Sequence, residues 1–225
     1  MIENRWILLS IAFVGSAFFA GCATQVPPKD YSEFQKAKPA TLLVMPPIND
    51  SPEVKASAAV WSHTTLPLSE AGYYVLPVTL VNETFKQNGV NSPNDAAEIP
   101  FAKLREFFGA DAAVYITIKR YGTTYSVITS ETLVEITGKI VDLRTGMKLW
   151  EGKAQASSAE QQQQNQGGIV GMLVAAVVKQ IIGSVTDAGY SYAGVASQRM
   201  LGAPQYNGVL PGPRSRFAGE VVPPK

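Results

Sequence analysis

The chain has 225 residues, 46% of them hydrophobic and 16% charged, with 19 Lys and Arg against 18 Asp and Glu. That balance argues against nucleic acid, which calls for a clustered basic footprint. A single cysteine excludes an intramolecular disulfide, and with a single histidine there is no Cys/His zinc set,, so stability rests on a hydrophobic core.

Arg5 leads into an apolar run from Trp6 to Phe19 that closes on Phe19-Ala20-Gly21-Cys22. The run is shorter than the roughly 20 residues of a membrane span; about 7–15 apolar residues before small ones read as a secretory signal. The closing tetrad resembles the lipobox of bacterial lipoproteins, which implies lipidation at Cys22, cleavage before it and acylation of the new amino terminus. The other readings are an uncleaved signal anchor and a plain secretory peptide. Two or more acyl chains would anchor the chain stably. In the lipoprotein family an Asp after the cysteine signals inner-membrane retention. Ala23 stands there instead, which implies the outer membrane on its periplasmic face, with the cell surface left open.

Residues 1–21 are then the signal peptide, and residues 22–40 a lipidated tether punctuated by Pro27, Pro28 and Pro39. Stretched from Ala23 to Lys38 at about 3.3 Å per residue, this tether reaches roughly 50 Å. A single α/β domain is expected over 41–202, and a Pro/Gly-rich tail without periodicity over 203–225,.

Within the domain, Thr41 to Met45 reads as a buried strand ended by Pro46-Pro47,. Helical spacing runs from Glu53 to Ala71 with a kink expected at Pro67, followed by a buried strand from Tyr73 to Val78,. A short helix from Leu80 to about Gly89 and another from about Asp95 to Phe108 complete a β-α-β-α-α-β order, the pattern of an α/β layer,. Four strands follow, Ala113–Tyr121, Thr124–Thr129, Leu133–Leu143 and Met147–Ala154, with breaks at Gly122 and Ser130-Glu131 and a tight hairpin at Arg144-Thr145-Gly146,. The fold class is therefore α/β (α+β), a mixed sheet flanked by helices with a β-meander in its second half and C-terminal helices. Residues 157–168 read as a mobile Gln-rich loop,. An apolar helix from Ile169 to Val185 and a further one from about Thr186 to Leu201 end the domain.

Three phrases in this order, Leu43-Val44-Met45-Pro46-Pro47-Ile48-Asn49-Asp50-Ser51, Gly109-Ala110-Asp111-Ala112 and Val141-Asp142-Leu143-Arg144-Thr145-Gly146, resemble the bacterial lipoproteins of domain-of-unknown-function family 799. More distantly the layout is similar to the periplasmic domain of the curli secretion lipoprotein CsgG and to the N-terminal domain of TolB. The resemblance implies a lipoprotein of an export or assembly system that acts beside a CsgG-type lipoprotein or other export components. It carries over no catalytic residue. The extra length that CsgG devotes to its membrane hairpins has no counterpart between Ala113 and Ala154.

The chemistry of an enzyme is sparse. His63 lies on a predicted helix beside Trp61, the reading of a surface or core-edge residue; Asp50, Glu53, Asp111 and Asp142 are scattered, and Asp50 and Asp142 sit in turn contexts,. No phosphate-cradling glycine motif occurs,. No catalytic residue, metal site or cofactor is expected, and the protein is expected not to be an enzyme. Tyr115, Tyr121, Tyr125, Tyr190 and Tyr192 are expected on sheet or helix faces with their hydroxyls at water,.

Ile169, Val170, Leu173, Val177, Ile181 and Val185 offer more apolar surface than one packing face needs,. They are the candidate interface, for a partner or for a second copy in a homo-oligomer; burial on the domain's own sheet and membrane contact are the alternatives. The functional expectation is a non-enzymatic accessory or interaction subunit of an envelope secretion or assembly system. A ligand- or peptide-binding lipoprotein and a carboxylate-based enzyme are the rival readings.

Overall fold

Why β1 (Thr41–Val44) should be central follows from its sequence: it is apolar on both faces, and both faces are covered. Leu42 and Val44 enter one core cluster, while Leu43 and Met45, just beyond the strand, enter a second on the opposite side. This computed structural model describes residues 27–125, 130–160 and 188–223, and Lys29–Pro223 form one unit.

Six strands make one mixed sheet. β3 (Tyr74–Val75) pairs parallel with β1, and β1 and β2 (Ile48–Asn49) pair parallel with β4 (Ala112–Tyr125). β4, β5 (Ser130–Asp142) and β6 (Lys148–Ser157) then run antiparallel, giving the order β3-β1-β4-β5-β6 with β2 beside β4. The expected mixed sheet and meander are therefore present. Alternation along β5 explains its half-burial: Val134, Ile136 and Ile140 face the larger cluster, while Lys139 on the other face is exposed,.

The helices divide between the two faces. α1 (Ser32–Ala37), α2 (Ala56–Ser62), α3 (Thr65–Glu70) and α7 (Ala188–Leu201) supply the larger cluster, through residues such as Phe34, Val60, Leu68 and Ala196. The Trp61 indole N–H reaches the Val44 carbonyl at 3.1 Å and ties α2 to β1. α7 lies across β5 and β6, and its Ala193, Gly194, Ala196 and Ser197 are small enough for close approach. α4 (Val78–Gln87), α5 (Pro93–Ala97) and α6 (Phe101–Phe108) supply the second cluster with Val81, Phe85, Ala96 and Leu104.

Several expected boundaries move, each for a physical reason. The helix predicted over Glu53–Ala71 is two helices, and the break falls at His63-Thr64, where the Thr64 hydroxyl donates to the Trp61 carbonyl at 2.7 Å. Pro67 lies in the first turn of α3, where its missing N–H has no helical acceptor to lose,. Pro100 splits the predicted Asp95–Phe108 helix in the same way and precedes α6 directly. Gly109 ends α6 in the left-handed region, φ 64°, as a helix stop should,. β4 runs unbroken through Gly122 because β5 pairs with it across the whole stretch.

The largest revision concerns the two ends. Tether and tail were expected outside a domain over 41–202, yet Tyr31, Phe34, Val209 and Leu210 are all buried in the larger cluster. Two tyrosine hydroxyls fasten the tail: Tyr31 donates to the Gly208 carbonyl at 2.5 Å and Tyr73 to the Leu210 carbonyl at 2.5 Å. The tail then crosses Gly72, with Gly212 N–H on the Ala71 carbonyl (2.7 Å) and Arg214 N–H on the Gly72 carbonyl (3.1 Å). Gly72 has φ 95°, and a Cβ there would run into the backbone nitrogen of Ser215, so the crossing requires glycine twice over. The predicted loop over 157–168 also starts late. Ser157 is a buried residue of β6 and Glu160 pairs with Arg199 at 2.7 Å, while 161–168 lie outside the described residues.

Leu210→Ala should lower unfolding free energy by about 2–5 kcal/mol, the cost of emptying a buried leucine site, read as the urea midpoint at unchanged slope. An unchanged midpoint would return the tail to the solvent.

Candidate functional site

Cys22 and the six candidate interface residues, Ile169, Val170, Leu173, Val177, Ile181 and Val185, lie outside the described residues. The structure still limits the reach of any lipid carried on Cys22. The folded unit begins at Lys29, so only Ala23 to Pro28 separate it from Cys22. Six residues span about 20 Å at most, less than half the reach expected from the sequence.

The carboxylates singled out in the sequence are spent on the fold. The Asp111 carboxylate accepts the backbone N–H groups of Ala40 (2.9 Å) and Thr41 (3.0 Å), which sets the entry to β1. Asp142 is 3% exposed and organises the β5–β6 hairpin. It accepts the backbone N–H groups of Arg144 (2.6 Å) and Thr145 (3.2 Å) and the Arg144 guanidinium (3.1 Å). Burial works against its ionisation, but the Arg144 side chain and the two amides outweigh it and hold its pKa below the ordinary carboxylate value,. Asp50 pairs with Lys119 at 2.7 Å, and Glu53 accepts from its near neighbour Lys55 N–H at 3.3 Å. Asp50 and Glu53 line one polar groove, and Asp111 lines another with Arg144, the ion partner of Asp142. Among the described residues no group of three or more His, Cys, Asp or Glu is placed to hold a metal ion.

His63 is at the core edge, as the helix pattern suggested. Its ring lies 4.3 Å from that of Tyr190, and a Cβ on Gly194 would sit only 3.1 Å from its Cε1. Burial pushes its pKa down, partly offset by the Tyr190 backbone. Its Nε2 is buried with no hydrogen-bond partner among the described residues.

Among the tyrosines, Tyr115 and Tyr192 depart from expectation, while the Tyr125 side chain lies outside the described residues. The Tyr115 hydroxyl is buried, its pKa pushed up to about 12 by that burial, with the Lys139 ammonium 5.2 Å from the ring centre. Tyr192 is 4% exposed. The sequence reading passed over the two most consequential tyrosines, Tyr31 and Tyr73. They stand next to chain segments that have no periodicity of their own.

The fold leaves grooves open among the described residues. Between α4 and α6 lies an apolar groove of about 110 Å³ lined by Phe85, Val90, Ile99, Leu104, Phe107 and Phe108. Phe107 stands at its rim, 63% exposed. Its exposure was partly legible: Phe107 and Phe108 are adjacent, and neighbours about 100° apart on a helix cannot both face one sheet. Along β4 runs a second, polar groove of about 630 Å³ between Asp50–Glu53 and Lys119–Thr124.

Asp142→Ala should cost about 1–3 kcal/mol by removing the charged acceptor of the Arg144 and Thr145 N–H groups,. Because Asp142's pKa is lowered on folding, its contribution is present above the unfolded value near 4 and is lost as pH falls through the folded value,. The variant should therefore show a flatter acid limb in thermal unfolding. His63 supplies the opposite kind of group: its pKa is lowered and it is neutral when folded, so stability should decline as pH falls from about 6.5 toward its folded value,. His63→Gln should remove that decline below about pH 6.5; a wild-type midpoint that stays flat as pH falls below that value would contradict the burial argument.

Residues 29–214 match the family model described as "Putative lipoprotein GNA1162-like". A relative from Neisseria meningitidis serogroup B, "Putative lipoprotein NMB1124/NMB1162", is 44% identical over 196 residues, which cover 87% of this chain and 90% of that protein. The crystal structure of lipoprotein GNA1162 from Neisseria meningitidis superposes with a TM-score of 0.52 at 43% identity, covering 65% of this chain and all of that one. A chain of the PelC dodecamer from Paraburkholderia phytofirmans overlaps more loosely, with a TM-score of 0.43 and 11% identity over 78% of this chain and 91% of that one. Family model, relative and crystal structure agree: this chain belongs to the GNA1162-like lipoproteins.

Proposed function

We propose that this lipoprotein is a non-enzymatic accessory subunit of an envelope secretion or assembly system, acting beside a CsgG-type lipoprotein or another export component. Lipid on Cys22 would hold it at the outer membrane on the periplasmic face. Its action is positional: the anchor and a short tether fix the folded unit near the bilayer, and an apolar surface recruits the partner.

The observation that carries this reading is Phe107, a large aromatic held 63% exposed at the rim of an apolar groove. A rigid aromatic beside a cleft is what protein interfaces use as an anchor. The carboxylates give the reading further support, because Asp111 and Asp142 are committed to backbone N–H groups.

The test is affinity capture of the lipidated protein from detergent-solubilised outer membrane, read by mass spectrometry, with Cys22→Ala and Phe107→Glu controls. An export or assembly component should co-purify with the wild type, be lost with Cys22→Ala, and fall at least about tenfold with Phe107→Glu at unchanged thermal midpoint. Recovery of the lipoprotein alone would contradict the accessory role. A partner indifferent to Phe107→Glu would move the interface elsewhere.

A further inference from the structure

The chain enters the folded unit at one identifiable place. Lys29 donates its backbone N–H to the Asn207 side chain at 2.8 Å, while its ammonium caps the Glu151 carbonyl of β6 and lies 4.9 Å from the centre of the Trp150 ring. From there α1 packs beside β6, and the Ala37 carbonyl at its end accepts from the Arg144 guanidinium at 3.0 Å. The entering segment thus follows β6 to the β5–β6 hairpin. Met147 at that hairpin is four residues from Glu151, about 13 Å along an extended strand. The opposite end of the sheet is farther away. Ser130 is nine residues from Lys139, the partner of Glu151 on β5, or about 30 Å.

The hairpin end carries apolar and cationic groups that the fold leaves at the surface. The Phe101 ring is 37% exposed, stands over Gly146, where a Cβ would lie 3.1 Å from it, and meets the Tyr115 ring edge-on at 6.5 Å. Met147, next to Gly146, is 48% exposed. Three cations surround them. Lys38 follows Ala37; Arg105, one helical turn on from Phe101, lines a polar groove of about 350 Å³ with Arg144; and the Lys139 ammonium lies 5.2 Å from the Tyr115 ring centre. The carboxylates of the hairpin strands and of α6 are matched elsewhere: Asp142 with Arg144 (3.1 Å), Glu151 with Lys148 (2.7 Å) and Glu106 with Lys103 (2.9 Å). Lys38, Arg105 and Lys139 have no carboxylate partner among the described residues.

We propose that this end of the sheet rests on the bilayer that carries the Cys22 lipid. Phe101 and Met147 lie at the boundary between headgroups and acyl chains, and Lys38, Arg105 and Lys139 meet anionic headgroups. This rests on the reading of Cys22 as lipidated. The tether selects lipid as the occupant: a link of about 20 Å from Cys22 to Lys29 keeps the hairpin end within constant reach of the bilayer, at an effective concentration that a soluble partner lacks. Charge selects it as well, because cations beside exposed apolar side chains match the two layers of a membrane surface that carries anionic lipid. Phe101 and Phe107 are separated by about 120° around α6. The groove at Phe107 therefore stays open to a partner while the Phe101 side lies on lipid.

The test is site-directed fluorescence of the full lipidated chain in vesicles of phosphatidylethanolamine and phosphatidylglycerol. Cys22 is the chain's single cysteine and its sulfur is taken up by lipid, so Met147→Cys offers one thiol for an environment-sensitive dye. Val54→Cys is the reference, at a site 89% exposed and next to Glu53 of the groove along β4. The dye at 147 should shift to the blue and be quenched by a nitroxide carried on the acyl chains; the dye at 54 should stay in water. Phe101→Asp places an acid in the first turn of α6, where a helix favours it, and Arg105→Gln changes an exposed site. Each should reduce quenching at 147 with the circular dichroism unchanged, as should replacing phosphatidylglycerol with phosphatidylcholine. If Phe101→Asp failed to fold, Arg105→Gln and the lipid replacement would decide. A chain that floats with the vesicles yet leaves the dye at 147 unquenched would overturn the proposal and leave the anchor standing. Equal quenching at 147 and 54, or quenching at 147 indifferent to the substitutions and to the lipid, would also overturn it. A chain that does not float at all would contradict the lipid on Cys22 and the proposal with it.

Discussion

Fourteen consecutive residues of extended backbone, Ala112–Tyr125, hydrogen-bond to both halves of the sheet. On one side β4 takes β1 and, three residues further along the same chain, β2, both parallel to it; on the other it takes β5 along its whole length. Its first half is sandwiched: Val114, Ile116 and Ile118 enter the larger core, and Ala113 enters the second. Its second half continues the pairing with β5 through Tyr125.

The sequence made the sheet readable because its strands carry their own evidence. Thr41–Val44 is continuously apolar and buried on both faces, and the Asp142 hairpin announces itself through Asp-Leu-Arg-Thr-Gly. Helix ends were less legible. Pro67 looked like a kink and is a first-turn residue, while the real break at Thr64 depends on a hydroxyl turning back to Trp61, which no periodicity reveals. The ends of the chain were misread for a related reason. Tyr31, Phe34, Val209 and Leu210 are short apolar outposts in polar, proline-rich sequence, and only the folded sheet shows that they fill one cluster.

Bringing both ends into the core changes what the anchor can do. With lipid on Cys22, a tether of about 50 Å would let the domain roam, whereas one of about 20 Å would keep it close to the bilayer. The apolar groove at Phe107 would then work within a narrow layer. Confinement of this kind raises the effective concentration of anything anchored in the same membrane, and a weak surface gains most from it.

All of this stands on Cys22 carrying lipid. Intact-mass measurement of the protein purified from its own envelope tests that most directly. The account predicts a mature chain that begins at Cys22 and carries the added mass of a diacylglyceryl group and an amide-linked acyl chain. A chain retaining residues 1–21, or one beginning at an unmodified residue, would contradict it.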